Sequence, residues 1–247
     1  MRTVYILWLR QIKRYFRSKS RIIGSLGQPL LFLVALGFGF GPIYAKAGGG
    51  DYIQFLTPGI IAMSTLFTST FMGIELIWDK EFGFLKETLV APVSRLKIMM
   101  GRTLGGATVA VLQGLIVLLI SLPIGFSPNW VALPLAILFL IMIAVIFTAF
   151  GTAIATKMED MHGFQLIVNF LLMPLFFLSG AIFPINGAPA AIKAIVLINP
   201  LTYGVRGLRA ALTGTVDISS LGNLGIMVGI ALLFVAIGSY LFSKVEI

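Results

Sequence analysis

Six apolar runs, at roughly 22–44, 53–77, 100–126, 131–155, 164–184 and 223–243, decide what this chain can fold into. Crossing ~30 Å of hydrocarbon takes about 20 residues of helix, and each run meets that length. Together they occupy most of the 247 residues, so no separate soluble domain fits, and residues 1–247 read as one transmembrane domain. The 58% hydrophobic content lies above the near-half of a soluble globular domain, in agreement with a bilayer setting. The expected fold is an all-α integral membrane protein with six transmembrane helices.

A net charge of +9 could signal nucleic acid, but topology accounts for it and no nucleic-acid partner is expected. Arg2, Arg10, Lys13, Arg14, Arg17, Lys19 and Arg21 precede the first run. Lys80, Lys86, Arg95, Lys97 and Arg102 surround the second-to-third connection, and Lys157 and Lys244 lie on the same side if the spans alternate. That leaves only Lys46, Lys193, Arg206 and Arg209 opposite. The positive-inside rule then puts both termini in the cytoplasm. A cleaved signal peptide is the competing reading of the start, since Ala45-Lys46-Ala47 mimics a small-x-small site, but the apolar stretch is longer than the ~7–15 residues of a signal.

Between the runs, three segments are distinctive. Residues 1–21 carry VYILWLRQIKRYFR, whose helical wheel gathers Tyr5, Trp8, Leu9, Ile12 and Phe16 on one face and Arg10, Lys13, Arg14 and Arg17 on another. Such a helix lies in the membrane interface, either as an anchor or as a transmitter of force. Residues 79–95 leave the bilayer at Asp79; as a helix over 79–91, they align Phe82, Leu85 and Leu89 in a stripe, project Lys80, Glu81 and Glu87 elsewhere, and stop at Pro92. Phe82, Gly83 and Phe84 form a compact protrusion suited to a protein cleft. Residues 185–222 are apolar yet broken by Gly187, Pro189, Pro200, Gly204, Gly207 and Gly214, which reads as an outer re-entrant helical pair.

Glu75, inside MGIELIW, is the one acid well within an apolar run, and it either pairs at a helix interface or lines a pathway. Small-residue pairs such as Gly37 with Gly41, Gly101 with Gly105 and Gly225 with Gly229 permit close helix approach. His162 beside Glu159 and Asp160 lacks a second imidazole or any thiolate, so it reads as a solvated turn and no metal site is expected. The chain contains no GxxxxGK[ST], HExxH or GxSxG and no cysteine, so it is not expected to be an enzyme or to bind a cofactor itself.

The run WDKEFGFLKETLVAPVSRLKIMMGR at 78–102, together with FLSGAIFPI at 177–185 and NPLTYGVRGLRAAL at 199–212, resembles the permease subunits of type-2 ABC exporters. That group includes bacterial drug-resistance and polysaccharide or lipo-oligosaccharide exporters. The resemblance implies a bacterial or archaeal cytoplasmic-membrane permease that pairs with a second, usually identical, permease. It also implies two copies of a separate ATPase that carry ATP and Mg. The coupling helix would map to Asp79, Lys80, Glu81, Phe82, Gly83, Phe84, Leu85, Lys86 and Glu87, with Arg10, Arg14 and Arg17 on the interfacial helix. The outer gate would include Phe183, Pro184, Pro200, Tyr203 and Arg206. An ion-gradient-driven transporter or small channel, and a membrane anchor that recruits a cytoplasmic protein, are the rival readings; drug, glycolipid and polysaccharide all stay open as cargo.

Overall fold

The computed structural model describes residues 2–90, 93–185, 187 and 189–244, and the side chains of Lys86 and Leu89 lie outside that description. Helices run in the order α1 (Arg2–Arg17), α2 (Lys19–Lys46), α3 (Tyr52–Phe71), α4 (Ile74–Glu81), α5 (Phe84–Val90), α6 (Arg95–Ser121), α7 (Leu133–Thr156), α8 (Met161–Phe177), α9 (Ala190–Ile198), α10 (Pro200–Thr213) and α11 (Ile218–Ser243). There are no strands among the described residues. Short polar side chains mark several starts: Asp51, Asp160, Asn199 and Asp217 each accept backbone N–H groups from the first turn of α3, α8, α10 and α11. Asp160 therefore caps a helix, and the N–H groups of Gly163 and His162 hold its carboxyl below the usual range.

Helix α3 is the axis of the bundle. Every residue from Leu56 to Leu66 is buried, covered by α2, α6, α7 and α10. The outer helices are apolar all round yet open to their surroundings, with Ile23, Leu31 and Phe38 on α2, Leu166 and Phe170 on α8, and Leu232 and Leu233 on α11 exposed. A belt of that extent fits hydrocarbon rather than water, which identifies a multi-pass membrane protein.

Five helical stretches are long and apolar enough to cross a membrane: Lys19–Lys46, Tyr52–Glu81, Arg95–Ile124, Trp130–Thr156 and Ile218–Ser243. The run expected as a span at 164–184 forms the 17-residue α8, about 26 Å long. Pro174 removes an N–H inside it, and after Phe177 the chain turns through residues 178–183 as non-helical backbone whose middle, 179–182, is buried. The end of the bundle bearing α5 is called the basic end below, and the end bearing the α6–α7 connection the far end.

The wheel of α1 has a third face besides its aromatic and basic arcs. Leu7, Gln11 and Tyr15 pack, whereas Tyr5 and Phe16 of the aromatic arc are exposed. The cause is α6: a Cβ on Gly101 would strike Leu7, and one on Gly105 would lie 2.6 Å from the Gln11 Cγ, so the missing side chains let α1 lie directly along α6. Near residue 83, the helix predicted over 79–91 is broken. Asp79, Lys80 and Glu81 end α4, Gly83 turns the chain at φ +74, and α5 begins at Phe84. Phe82 is thus 78% exposed while Leu85 is buried, so they share no stripe. Ala91, the last residue of that predicted helix, and Pro92, expected to end it, lie outside the described residues, as does the side chain of Leu89.

Candidate functional site

At the basic end, the last turns of α4 bury two carboxylates one helical turn apart. Asp79 receives Arg10 Nη2 on Oδ1 at 2.8 Å, and Arg102 Nη2 on its other oxygen. Glu75, only 1% exposed, lies 3.0 Å from Arg21 Nη1 and 3.8 Å from Arg14 Nη1. Helix periodicity explains the arrangement: Glu75 and Asp79 at i, i+4 share a face of α4, and Arg10 and Arg14 at i, i+4 present a matching pair from α1. Buried acids in an apolar bundle must find counter-charges, and these find four. The cluster ties α1, α2, α4 and α6 together at one level.

Aromatic faces extend the same contacts to the turn into α5. The Arg10 guanidinium lies 3.9 Å from the Phe84 ring centroid, and that of Arg14 4.7 Å from Trp78. Lys80 turns the other way and donates to the carbonyls of Ala155, Thr156 and Met158 at 2.8–3.1 Å, capping the C-terminus of α7. Further along α1, the Trp8 indole donates to Thr108 at 3.0 Å and the Tyr15 hydroxyl to Gln113. Burial pushes the Tyr15 phenol above its ordinary value, with Arg21 opposing, so it stays a donor. Beyond this lattice, Glu81, Phe82, Glu87 and Val90 are exposed as the tip of the basic end. The Lys86 side chain falls outside the described residues.

The far end is organised around Arg209. Its Nε donates to the Phe55 carbonyl at 3.1 Å, its Nη2 to Gly180 and Ala181 carbonyls at 3.0 Å, and its guanidinium covers the Phe55 ring at 3.9 Å. Tyr52 donates to the Ile182 carbonyl at 3.1 Å. Three carbonyls of the non-helical 178–183 stretch are thereby satisfied where water is scarce, the condition for irregular backbone at membrane depth. Helix α10 runs along α7 toward the far end, with Gly204 against Ile143 and Gly207 against Phe139. At its inner tip Asn199 donates to the Leu175 carbonyl at 2.6 Å. Of the expected gate residues, Tyr203 donates to the Leu197 carbonyl at 2.6 Å and Pro200 opens α10, whereas Phe183, Pro184 and Arg206 are exposed.

Residues 2–213 match the ABC-2 type transporter family. The chain belongs to the ABC-2 type transporter family. It is 28% identical over 255 residues to ycf38 of Cyanophora paradoxa, covering 95% of this chain and 87% of that one. To Nodulation protein J of Rhizobium meliloti (strain 1021) it is 29% identical over 222 residues, with 85% and 79% covered. To the inner membrane transport permease YadH of Escherichia coli (strain K12) it is 26% identical over 233 residues, with 90% and 87% covered. Family membership makes the chain a membrane-transport component and not an enzyme in its own right.

Within this ABC-2 chain the structure brings Arg10, Arg14, Glu75, Asp79 and Phe84 into one cluster. Arg17 and Phe82 line the groove beside it, and Glu81 and Glu87 are exposed outside it. Arg21, Arg102 and Arg209 were not singled out from the sequence as site residues. Arg102 carried a usable signal: it sits in the first two turns of an apolar run, and a cation there needs a buried partner. Arg209 is three residues from Arg206 in one motif, and only the rotation of α10 against α3 decides which of them faces inward.

Proposed function

We propose that the chain is the transmembrane subunit of an ATP-driven exporter, working as a pair of permeases with two copies of a separate ATPase that binds ATP and Mg. In this reading the basic end faces the cytoplasm, both termini lie on that side, and α8 with the 178–183 stretch makes a sixth crossing. The exposed tip at Glu81, Phe82, Glu87 and Val90 seats in a cleft of the ATPase. Cargo is amphipathic, lipid-linked or drug-like, and it moves outward past the α9–α10 hairpin.

One observation carries this reading. The exposed tip is continuous with a buried ion-pair cluster that joins α1, α2, α4 and α6, so a push on α5 reaches four helices through charges rather than through soft side chains. Closing the ATPase on nucleotide then draws the inner ends of these helices as one unit, and transport follows only if nucleotide and cargo favour different arrangements of the pair. An ion-gradient mechanism needs a free intramembrane carboxylate; among the described residues Glu75 and Asp79 are both paired with arginines.

The test replaces Phe84 with Ala and Glu87 with Lys in the permease reconstituted with its ATPase. Cargo-stimulated ATP hydrolysis and export are expected to fall at least tenfold while the permease stays in the membrane. Normal export with the ATPase bound would falsify the coupling assignment.

A further inference from the structure

The groove between α1, the start of α2 and the α4–α5 turn holds more positive charge than the carboxylates account for. It encloses about 1090 Å³ and is lined by Arg10, Lys13, Arg14, Arg17 and Lys19. The acid lining it is Asp79, whose two oxygens are already taken by Arg10 and Arg102. Glu75 takes Arg14 and Arg21. Lys13, Arg17 and Lys19 pair with no carboxylate among the described residues. Arg10, Lys13, Arg14 and Arg17 stand at i, i+3, i+4 and i+7 on one stripe of α1, where like charges repel. Such a stripe is stable when an anion lies along it.

We infer that this groove binds the phosphate headgroup of an anionic phospholipid from the leaflet at the basic end. Charge alone would suit any polyanion; the rest of the wall does not. Ile6, Leu9, Trp78, Phe82 and Phe84 complete it, so an occupant must carry apolar mass beside its phosphate. The groove also has open apolar surface beside its charges: Ile6 in its wall, and Ile23 one turn beyond Lys19, are both more than half exposed. A headgroup held by Lys13, Arg17 and Lys19 has its acyl chains directed along that apolar surface. Ser18, which makes no side-chain cap bond at the start of α2, adds a hydroxyl within the same wall.

The test uses the full chain in detergent micelles titrated with brominated phosphatidylglycerol, and reads the part of the quenching that Trp78→Phe abolishes, which excludes Trp8 and Trp130 and reports on acyl chains in the groove. Quenching at a lipid fraction at least tenfold below that needed with brominated phosphatidylcholine is expected. The triple variant Lys13→Ala, Arg17→Ala, Lys19→Ala is expected to raise the half-quenching phosphatidylglycerol concentration on the order of 100-fold, about fivefold per cation. Lys97→Ala, an exposed cation outside the groove, should shift it less than twofold. Helix content by circular dichroism confirms that the triple variant folds; if it does not, Arg17→Ala alone should give about the fivefold step. Equal quenching by the two lipids, or an unshifted Arg17→Ala curve, overturns the assignment. Displacement of phosphatidylglycerol by millimolar inorganic phosphate or by an oligoglutamate peptide overturns it in favour of a soluble anion or an acidic protein segment.

Discussion

The two ends of the bundle are fastened by different chemistry. At the basic end two carboxylates share four guanidiniums contributed by three separate helices, and Arg10, Arg14 and Arg21 remain about one-third exposed. At the far end one guanidinium, Arg209, is spent on backbone carbonyls, with no carboxylate among its partners. Charges that share partners can exchange them as helices slide, because each arginine keeps a carboxylate within reach through the movement. Carbonyls of a fixed turn offer no second position. The fastening at the basic end thus tolerates sliding of its helices, whereas that at the far end fits one shape.

The largest effect expected from breaking this contrast is at Asp79. Asp79→Ala strands Arg102, which is 5% exposed, and a buried charge left without its partner costs about 3–5 kcal/mol. A drop in the melting temperature of the micellar protein should record it. The double variant Asp79→Ala, Arg102→Met should recover part of the loss, since it removes both buried charges. If the single variant melts like the parent, the cluster does not hold the basic end and the comparison fails there.

Arg209→Met comes next. It leaves the carbonyls of Phe55, Gly180 and Ala181 without their donor, for a loss of about 2–3 kcal/mol. Limited proteolysis should now cut within 178–185, whereas Arg206→Met, changing an exposed side chain three residues earlier, should leave the cleavage pattern intact. Equal cleavage in both variants would remove Arg209 from its central place.

These two sites differ in how far the sequence disclosed them. Five of the six apolar runs and the polar break after Asp79 are local patterns that the helices follow, whereas the run at 164–184 yields a helix only as far as Phe177 and α11 already starts at Ile218. Glu75 was visible as an acid needing a partner, but its arginines stand 54 and 61 positions earlier, and no periodicity links residues so far apart. The face of α1 that packs on α6 was silent for a related reason: the wheel shows an aromatic arc and a basic arc, whereas Leu7, Gln11 and Tyr15 are selected by two absent side chains on another helix, at Gly101 and Gly105. The break at Gly83 was hidden because a single glycine is compatible with a helix and only its left-handed φ ends one.

Gly105→Val sharpens the comparison from the side of packing. Its added carbons collide with Gln11, so α1 must lift from α6 at a cost of about 1–2 kcal/mol. Gly225→Ala, where a Cβ meets nothing within 4 Å, should stay within about 0.5 kcal/mol of the parent. If lifting α1 also abolishes ATPase stimulation, the ion pairs act only when α1 is seated; if stimulation persists, the charges alone suffice to carry motion across the basic end.

The smallest effect separates seating from hydrogen bonding within α1. Trp8→Phe keeps the ring on α6 and deletes the 3.0 Å bond to Thr108, so about 1 kcal/mol should be lost. Thr108→Val deletes the same bond from the other side, and the two variants combined should cost no more than the larger of the two single losses. Thr108 also donates to the Leu104 carbonyl, so its hydroxyl has a second use and the single Thr108→Val loss should slightly exceed that of Trp8→Phe. Additive losses would mean that the indole bond contributes little and that the glycine contacts alone hold α1 in place. The basic end would then depend on charge for its movement and on shape for its alignment, while the far end depends on Arg209 for both.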